Sequence, residues 1–135
     1  MARVPQGSLS GPLLFLIYIN NLALEPLKCN LDMYAYDGTL QSSDVSIKYI
    51  EQNLQHDLTK VDKWCTLNKM AINLSKTVCM TIGTQRKLSK LIELYLSVQG
   101  ITLQSVETHR LLGVHLDKNL TWNIHFDILC KQVNI

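Results

Sequence analysis

The sequence predicts an α+β domain in which antiparallel strands pack against helices, and three stretches predict it. Met33-Tyr34-Ala35-Tyr36-Asp37-Gly38-Thr39-Leu40 sets an Asp-Gly pair between runs suited to strand. That is a strong short-range hairpin signal, because glycine accepts the positive φ that a tight primed turn demands. Ile47, Ile50, Leu54, Leu58, Val61 and Trp64 recur at three- and four-residue steps, the stripe of an amphipathic helix. Lys76-Thr77-Val78-Cys79-Met80-Thr81-Ile82-Gly83 is β-branched, alternating and closed by glycine, as a strand is. With 135 residues, 47% hydrophobic and 18% charged, the chain suits one modest domain and shows no signature of disorder.

The elements follow in order. Pro5-Gln6-Gly7-Ser8 reads as a loop, with φ fixed at the proline and close backbone approach possible at Gly7. Ser10 or Gly11 caps a helix with Pro12 at its first position, where the missing N–H costs nothing. That helix runs to about Leu22, stops before Pro26 and is apolar almost throughout, so it is expected to be buried against a sheet. The hairpin follows over residues 31 to 43, with Asp37 and Gly38 at its exposed tip. Ser46 or Ser43 caps the second helix and Asn68 ends it; Lys48, Glu51, Gln52, Gln55, Asp57, Lys60 and Lys63 form its solvated face. Arg86-Lys87-Leu88-Ser89-Lys90 reads as a solvated basic loop. Glu93 to Val98 and Ile101 to Gln104 flank Gln99-Gly100 as another hairpin, Thr108 to Leu116 is one further strand, and Thr121 caps a last helix from Trp122 to Ile135.

Charge and composition narrow the function classes. Net charge is only +2, so any nucleic-acid contact must rest on local placement of basic residues. Cys29, Cys65, Cys79 and Cys130 contain no C-x-x-C pair and read as reduced core thiols of an intracellular protein, in cytoplasm or nucleus. His56, His109, His115 and His125 are dispersed and do not form a metal set, with His115 and His125 left open as neighbours in space. Leu13 to Ile19 is too short for a membrane span, and neither a targeting nor a transmembrane segment is expected.

Several blocks together resemble the reverse transcriptases of non-LTR, LINE-like retrotransposons. Val4-Pro5-Gln6-Gly7-Ser8, then Gly11-Pro12-Leu13-Leu14-Phe15, then Ile19-Asn20-Asn21-Leu22, then Tyr34-Ala35-Tyr36-Asp37 match, in order and spacing, the family's V-P-Q-G-S, G-P-L-L-F, I-N-D-L and aromatic-A-D-D. Trp64-Cys65 with Asn68, Asn73-Leu74-Ser75-Lys76-Thr77, Leu111-Leu112-Gly113-Val114, and Leu120-Thr121-Trp122 with His125 continue the order. Arg3 stands where the family usually has glycine, and Asn21 where it has aspartate.

The resemblance implies a palm-type antiparallel sheet with packed helices over residues 1–116, and the start of the thumb helix over 117–135. It also implies that the first palm strand, with its aspartate, and the fingers lie outside this chain. Asp37 takes the place of the second hairpin aspartate and would be a vestigial metal ligand; Tyr36 takes the place of the first. Gln6, Gly7, Ser8 and Gly113 would track template, nucleotide and primer. Lys76 would neutralise the leaving group, or be a solvated edge residue; the two readings stand level. The family uses Mg²⁺, an RNA template and a DNA primer. With one carboxylate of three, a partial RNA-directed DNA polymerase binding no metal productively is expected, one that self-associates or needs the missing palm and fingers half. The alternatives are a retained nucleic-acid-binding or protein-interaction module, and an unstable product of a decayed element.

Overall fold

The computed structural model describes residue 7 and residues 9–133. Helix α1 (Ser10–Asn20) runs into a 3-10 turn (Asn21–Leu24). A hairpin follows, β1 (Asn30–Tyr34) and β2 (Asp37–Gln41), then the long helix α2 (Ile47–Leu67). Beyond α2 the elements are short: β3 (Val78–Cys79), α3 (Gln85–Leu88), β4 (Ser97–Val98), β5 (Ile101–Thr102) and β6 (Gln104–Ser105). The hairpin β7 (Thr108–Leu111) and β8 (Val114–Asp117) leads to α4 (Asn123–Val133). Helix and sheet are therefore mixed, as expected of α+β. The strands form four two-stranded pieces, three antiparallel and one, β3 with β6, parallel.

Helix α2 organises the interior because its stripe is long enough to serve two cores. Toward its N-terminal part, Leu58 joins Cys79, Leu94, Leu96, Val98 and Leu103, with Ile47, Ile50 and Leu54 packed alongside. Toward its C-terminal end, Trp64 and Cys65 join Ile19 and Leu22, with Phe15, Leu31, Met33 and Val61 against them. Ser46 and Asn68 flank the helix as expected. Ser46 gives no side-chain cap; Asp44 Oδ1 instead accepts the Ser46 N–H at 2.9 Å.

Side chains of α2 also replace strand partners. Glu51 accepts the Tyr95 N–H at 3.0 Å, and Gln55 both accepts from Ser97 N and donates to Ser97 O, each at 2.9 Å. The Leu94–Val98 stretch thus alternates buried and exposed like a strand, while only Ser97–Val98 enters a ladder. Backbone groups need partners but not necessarily strand partners.

Several expectations are corrected. Ser10 lies inside α1 and Pro12 at its third position, with Leu9 at the cap. Most of α1 is bare rather than buried: Leu13, Leu14, Leu16 and Ile17 are each more than half exposed. The strand over Lys76–Gly83 shrinks to Val78–Cys79, and Lys76 falls in the turn before it, donating its N–H to Asn73 O at 3.1 Å. The basic run forms the single helical turn α3. Thr108–Leu116 is a hairpin rather than one strand, since Leu112 (φ 48°) and Gly113 (φ 87°) make a tight turn at its middle. Cys130 is exposed, unlike the buried Cys65 and Cys79. Thr121 lies two residues before α4 and gives both its N–H and its hydroxyl to Asp117.

The accessible surface is 10394 Å², against about 7,200 Å² expected of a compact monomer of this mass. Two small cores on either end of one helix leave much of the chain uncovered.

Candidate catalytic hairpin

Asp37 and Tyr36 are placed together by β1 and β2. The register pairs Tyr34 with Asp37, Met33 with Gly38, Asp32 with Thr39 and Leu31 with Leu40. The two-residue loop is therefore Ala35-Tyr36, with Ala35 at φ 51°, and the turn lies two residues before the Asp-Gly pair. Asp37 is the first residue of β2, exposed and adjacent to the loop. Gly38 serves space rather than a turn: a Cβ there would meet Met33 Sδ at 2.8 Å, so the bare backbone lets the cross-strand methionine pack inward.

Alternation along β1 separates a core face from an open face. Leu31 and Met33 point toward the Trp64 core, while Asn30, Asp32 and Tyr34 are exposed. Gln41 Nε2 donates to Asp32 Oδ2 across the strands. Tyr36 is bound sideways to α1: its ring centroid lies 4.2 Å from that of Phe15, at an interplanar angle of 36°.

The remaining sequence-predicted residues do not join this pair. Gln6 and Ser8 lie outside the described residues; Gly7 is an exposed turn residue at φ 87°. Lys76 is exposed in the Asn73–Lys76 turn, and Gly113 is exposed at the β7–β8 turn. Each sits on its own loop. His115 and His125 are neighbours, with ring centroids 6.3 Å apart, and His125 Nδ1 accepts the His115 N–H at 3.4 Å. Among the described residues, no group of three or more His, Cys, Asp or Glu side chains is disposed to hold a metal ion. A hard divalent cation needs several oxygen ligands, and the hairpin loop offers one carboxylate beside a neutral phenol. The residues described here do not fit a two-ion site.

Two buried carboxylates were missed by sequence reasoning. Asp57, assigned to the solvated face, is fully buried in α2 and accepts N–H groups from Lys28 (2.8 Å) and Cys29 (2.6 Å). His56 Nδ1 lies 2.9 Å from its other oxygen. It ties the entry of β1 to the helix, and the signal was present: 50, 54, 57, 61 and 64 share the stripe's own spacing. Asp117, at the end of β8, accepts N–H groups of Asn119, Thr121 and Trp122 and the Thr121 hydroxyl, and so turns the chain into α4.

These contacts set a pH dependence. Burial pushes the Asp57 carboxyl up, but the hydrogen bonds from His56, Cys29 and Lys28 together outweigh it and hold the carboxyl below its usual 3.8. Hydrogen bonds from Thr121, against burial, do the same for Asp117. Burial, with the Asp57 hydrogen bond and charge, pushes the Cys29 thiol up to about 11. A carboxylate lowered on folding stabilises above its unfolded value and loses that contribution as pH falls through its folded one; a raised thiol stabilises below its unfolded value and loses it as pH rises. Urea midpoints are therefore expected to be flat near neutrality, to fall below the ordinary carboxylate value of 3.8, and to fall again between 9.0 and about 11. An acid limb unchanged in Asp57→Asn would remove Asp57 from this account.

Comparison with known proteins adds ancestry to this geometry. Residues 1–116 match the family described as reverse transcriptase (RNA-dependent DNA polymerase). A probable RNA-directed DNA polymerase from transposon BS of Drosophila melanogaster is 33% identical over 140 residues, covering 97% of this chain and 15% of that protein. The RNA-directed DNA polymerase from mobile element jockey, also of Drosophila melanogaster, is 24% identical across 92% of this chain and 14% of its own length. A retrovirus-related Pol polyprotein from type-1 retrotransposable element R1 2 of Nasonia vitripennis is 25% identical across 90% of this chain and 30% of its own. The chain thus spans a minor part of each relative. No solved structure matches it. Among the described residues, no helix is long and apolar enough to cross a membrane.

Proposed function

The chain belongs to the reverse transcriptase family, and from that premise we propose that it is a part of the palm of a non-LTR retrotransposon polymerase, catalytically silent as it stands. In this reading residues 1–116 are palm and residues 117–135 open the thumb. The β1–β2 hairpin is the one that carries catalytic carboxylates in the family, with Asp37 the carboxylate retained. The observation that carries the proposal is Tyr36: where the family has an aspartate, this chain has a neutral ring packed 4.2 Å from Phe15. Nucleotidyl transfer rests on positioning and charge stabilisation, and a phenol held against a helix supplies neither.

Gln6, Gly7, Ser8 and Gly113 are the positions at which template, nucleotide and primer would meet the chain, and Lys76 the one at which a leaving group would find a cation. RNA template and DNA primer are the family's partners. The test is primer extension on an RNA template with Mg²⁺ or Mn²⁺. No extension is expected from the wild-type chain or from Tyr36→Asp, and extension is expected only from Tyr36→Asp supplied in trans with the upstream portion of a related polymerase. Extension by the unsupplemented wild type would overturn the reading. The bare face of α1 favours a second reading, a protein-interaction module.

A further inference from the structure

The basic residues of this chain are segregated along it. From Lys63 to Ile92 there are six, Lys63, Lys69, Lys76, Arg86, Lys87 and Lys90, and all eleven acidic residues lie outside that stretch. All six are exposed. The ion pairs among the described residues join His56 to Asp57 and Lys118 to Glu107, so none of the six is neutralised by a carboxylate in contact. A net charge of only +2 therefore conceals a strongly positive stretch.

Three of the six gather on α3. The turn continues through Lys90, whose N–H bonds Lys87 O at 3.1 Å. Arg86 and Lys90 are four residues apart and Lys87 and Lys90 three, the spacings that bring side chains together on a helical turn. Leu88 is the half-buried member: it lies over Gly83, where an added Cβ would meet Leu88 Cδ2 at 3.3 Å. Gly83 in turn donates its N–H to Lys118 O at 2.9 Å and accepts the Asn119 side-chain amide at 3.0 Å. The basic turn is thus fastened to the segment that follows β8, and its cations are presented from a fixed place.

Three close, unpaired cations fit a ligand that carries anions in series, and a phosphodiester backbone is one. A lipid surface is taken by a helix long enough to lay a basic and an apolar side in the interface; α3 is four residues long. RNA and DNA are also the partners proposed above. We propose that Arg86, Lys87 and Lys90 form a surface that grips the phosphate backbone of nucleic acid without reading its sequence. None of the positions assigned above to template, nucleotide, primer or leaving group lies on α3. The inference rests on membership of the polymerase family and not on the loss of catalysis at Tyr36.

The test is fluorescence anisotropy of the whole chain titrated against labelled single-stranded RNAs of two unrelated sequences and against an RNA–DNA duplex, over a range of salt concentrations. Similar affinity for the two RNAs is expected, falling with log salt at a slope of about −2 or steeper, as three phosphate contacts require. Binding of either strand form supports the surface, and the tighter one names its ligand. Replacing Arg86, Lys87 and Lys90 together by alanine should keep the circular dichroism signal, weaken binding about tenfold or more and flatten the slope by about 2. Lys28→Ala removes a cation set between Glu25 and Asp32 in the sequence and should leave the slope unchanged. The proposal is overturned if neither nucleic acid binds, if the folded triple variant keeps the wild-type slope, if Lys28→Ala flattens it as much, or if phosphatidylserine vesicles bind and RNA does not. Absence of binding would leave the reading of a silent palm standing, whereas primer extension by the wild type would overturn that reading and not this one.

Discussion

Asp57→Ala is expected to lower the stability of the chain by about 2–4 kcal/mol, the range reached when buried hydrogen-bonding groups lose their partner. The carboxylate is fully buried and receives two backbone N–H groups from the segment that enters β1. Removing it leaves both donors unmatched and takes away the hydrogen-bond partner of His56. A small domain has only about 5–15 kcal/mol to lose, so the variant should populate the unfolded state under mild conditions. Asp57→Asn keeps the shape and one acceptor oxygen and should lose less. Urea unfolding followed by the fluorescence of buried Trp64 measures both. A midpoint for Asp57→Ala close to wild type would show that the β1 entry does not depend on this residue.

Trp64→Ala carries the second large effect, about 3–5 kcal/mol by analogy with other buried aromatic truncations. The side chain is 7% exposed, sits with Ile19, Leu22 and Cys65, and has Tyr18 at 6.1 Å between ring centroids. Its loss would release α1 and the inner face of β1 together. Leu58→Ala, in the other core, should cost about 2–5 kcal/mol and leave α1 docked. Circular dichroism during chemical unfolding gives the size of each loss. Protection of α1 amides from hydrogen exchange gives its location, and equal protection in the two variants would contradict the division into two cores.

What was legible in the sequence was whatever depended on local periodicity. The stripe of α2 and the Gln99-Gly100 turn, with φ 53° and 76°, were readable because neighbours along the chain decide them. The β1–β2 hairpin was readable too, but its register was not. A turn at Asp37-Gly38 would set Leu31 opposite Asp44; the observed register sets it opposite Leu40, and both are half-buried. Cross-strand burial outweighed turn propensity.

Where two distant segments decide the outcome, single-residue patterns gave the wrong sign. Asp57 looked solvated because aspartate usually is; its place on the buried stripe pointed inward, and Lys28 and Cys29, from a distant segment, supply the partners that make it an anchor. The strand over Glu93–Val98 was overestimated in length because Glu51 and Gln55 take over part of its backbone pairing. Within the candidate site, Asp37 and Tyr36 were identified as neighbours by the motif, whereas the packing of Tyr36 on Phe15 depends on α1 and had no local signal.

That ring contact ties the hairpin loop to α1. Aromatic pairs of this kind contribute about 0.5–1.5 kcal/mol, so Tyr36→Asp would give up a fastening between loop and helix in return for a second negative charge beside Asp37. A change at either Phe15 or Tyr36 is therefore felt in helix and loop together, so the position of the hairpin loop follows that of α1.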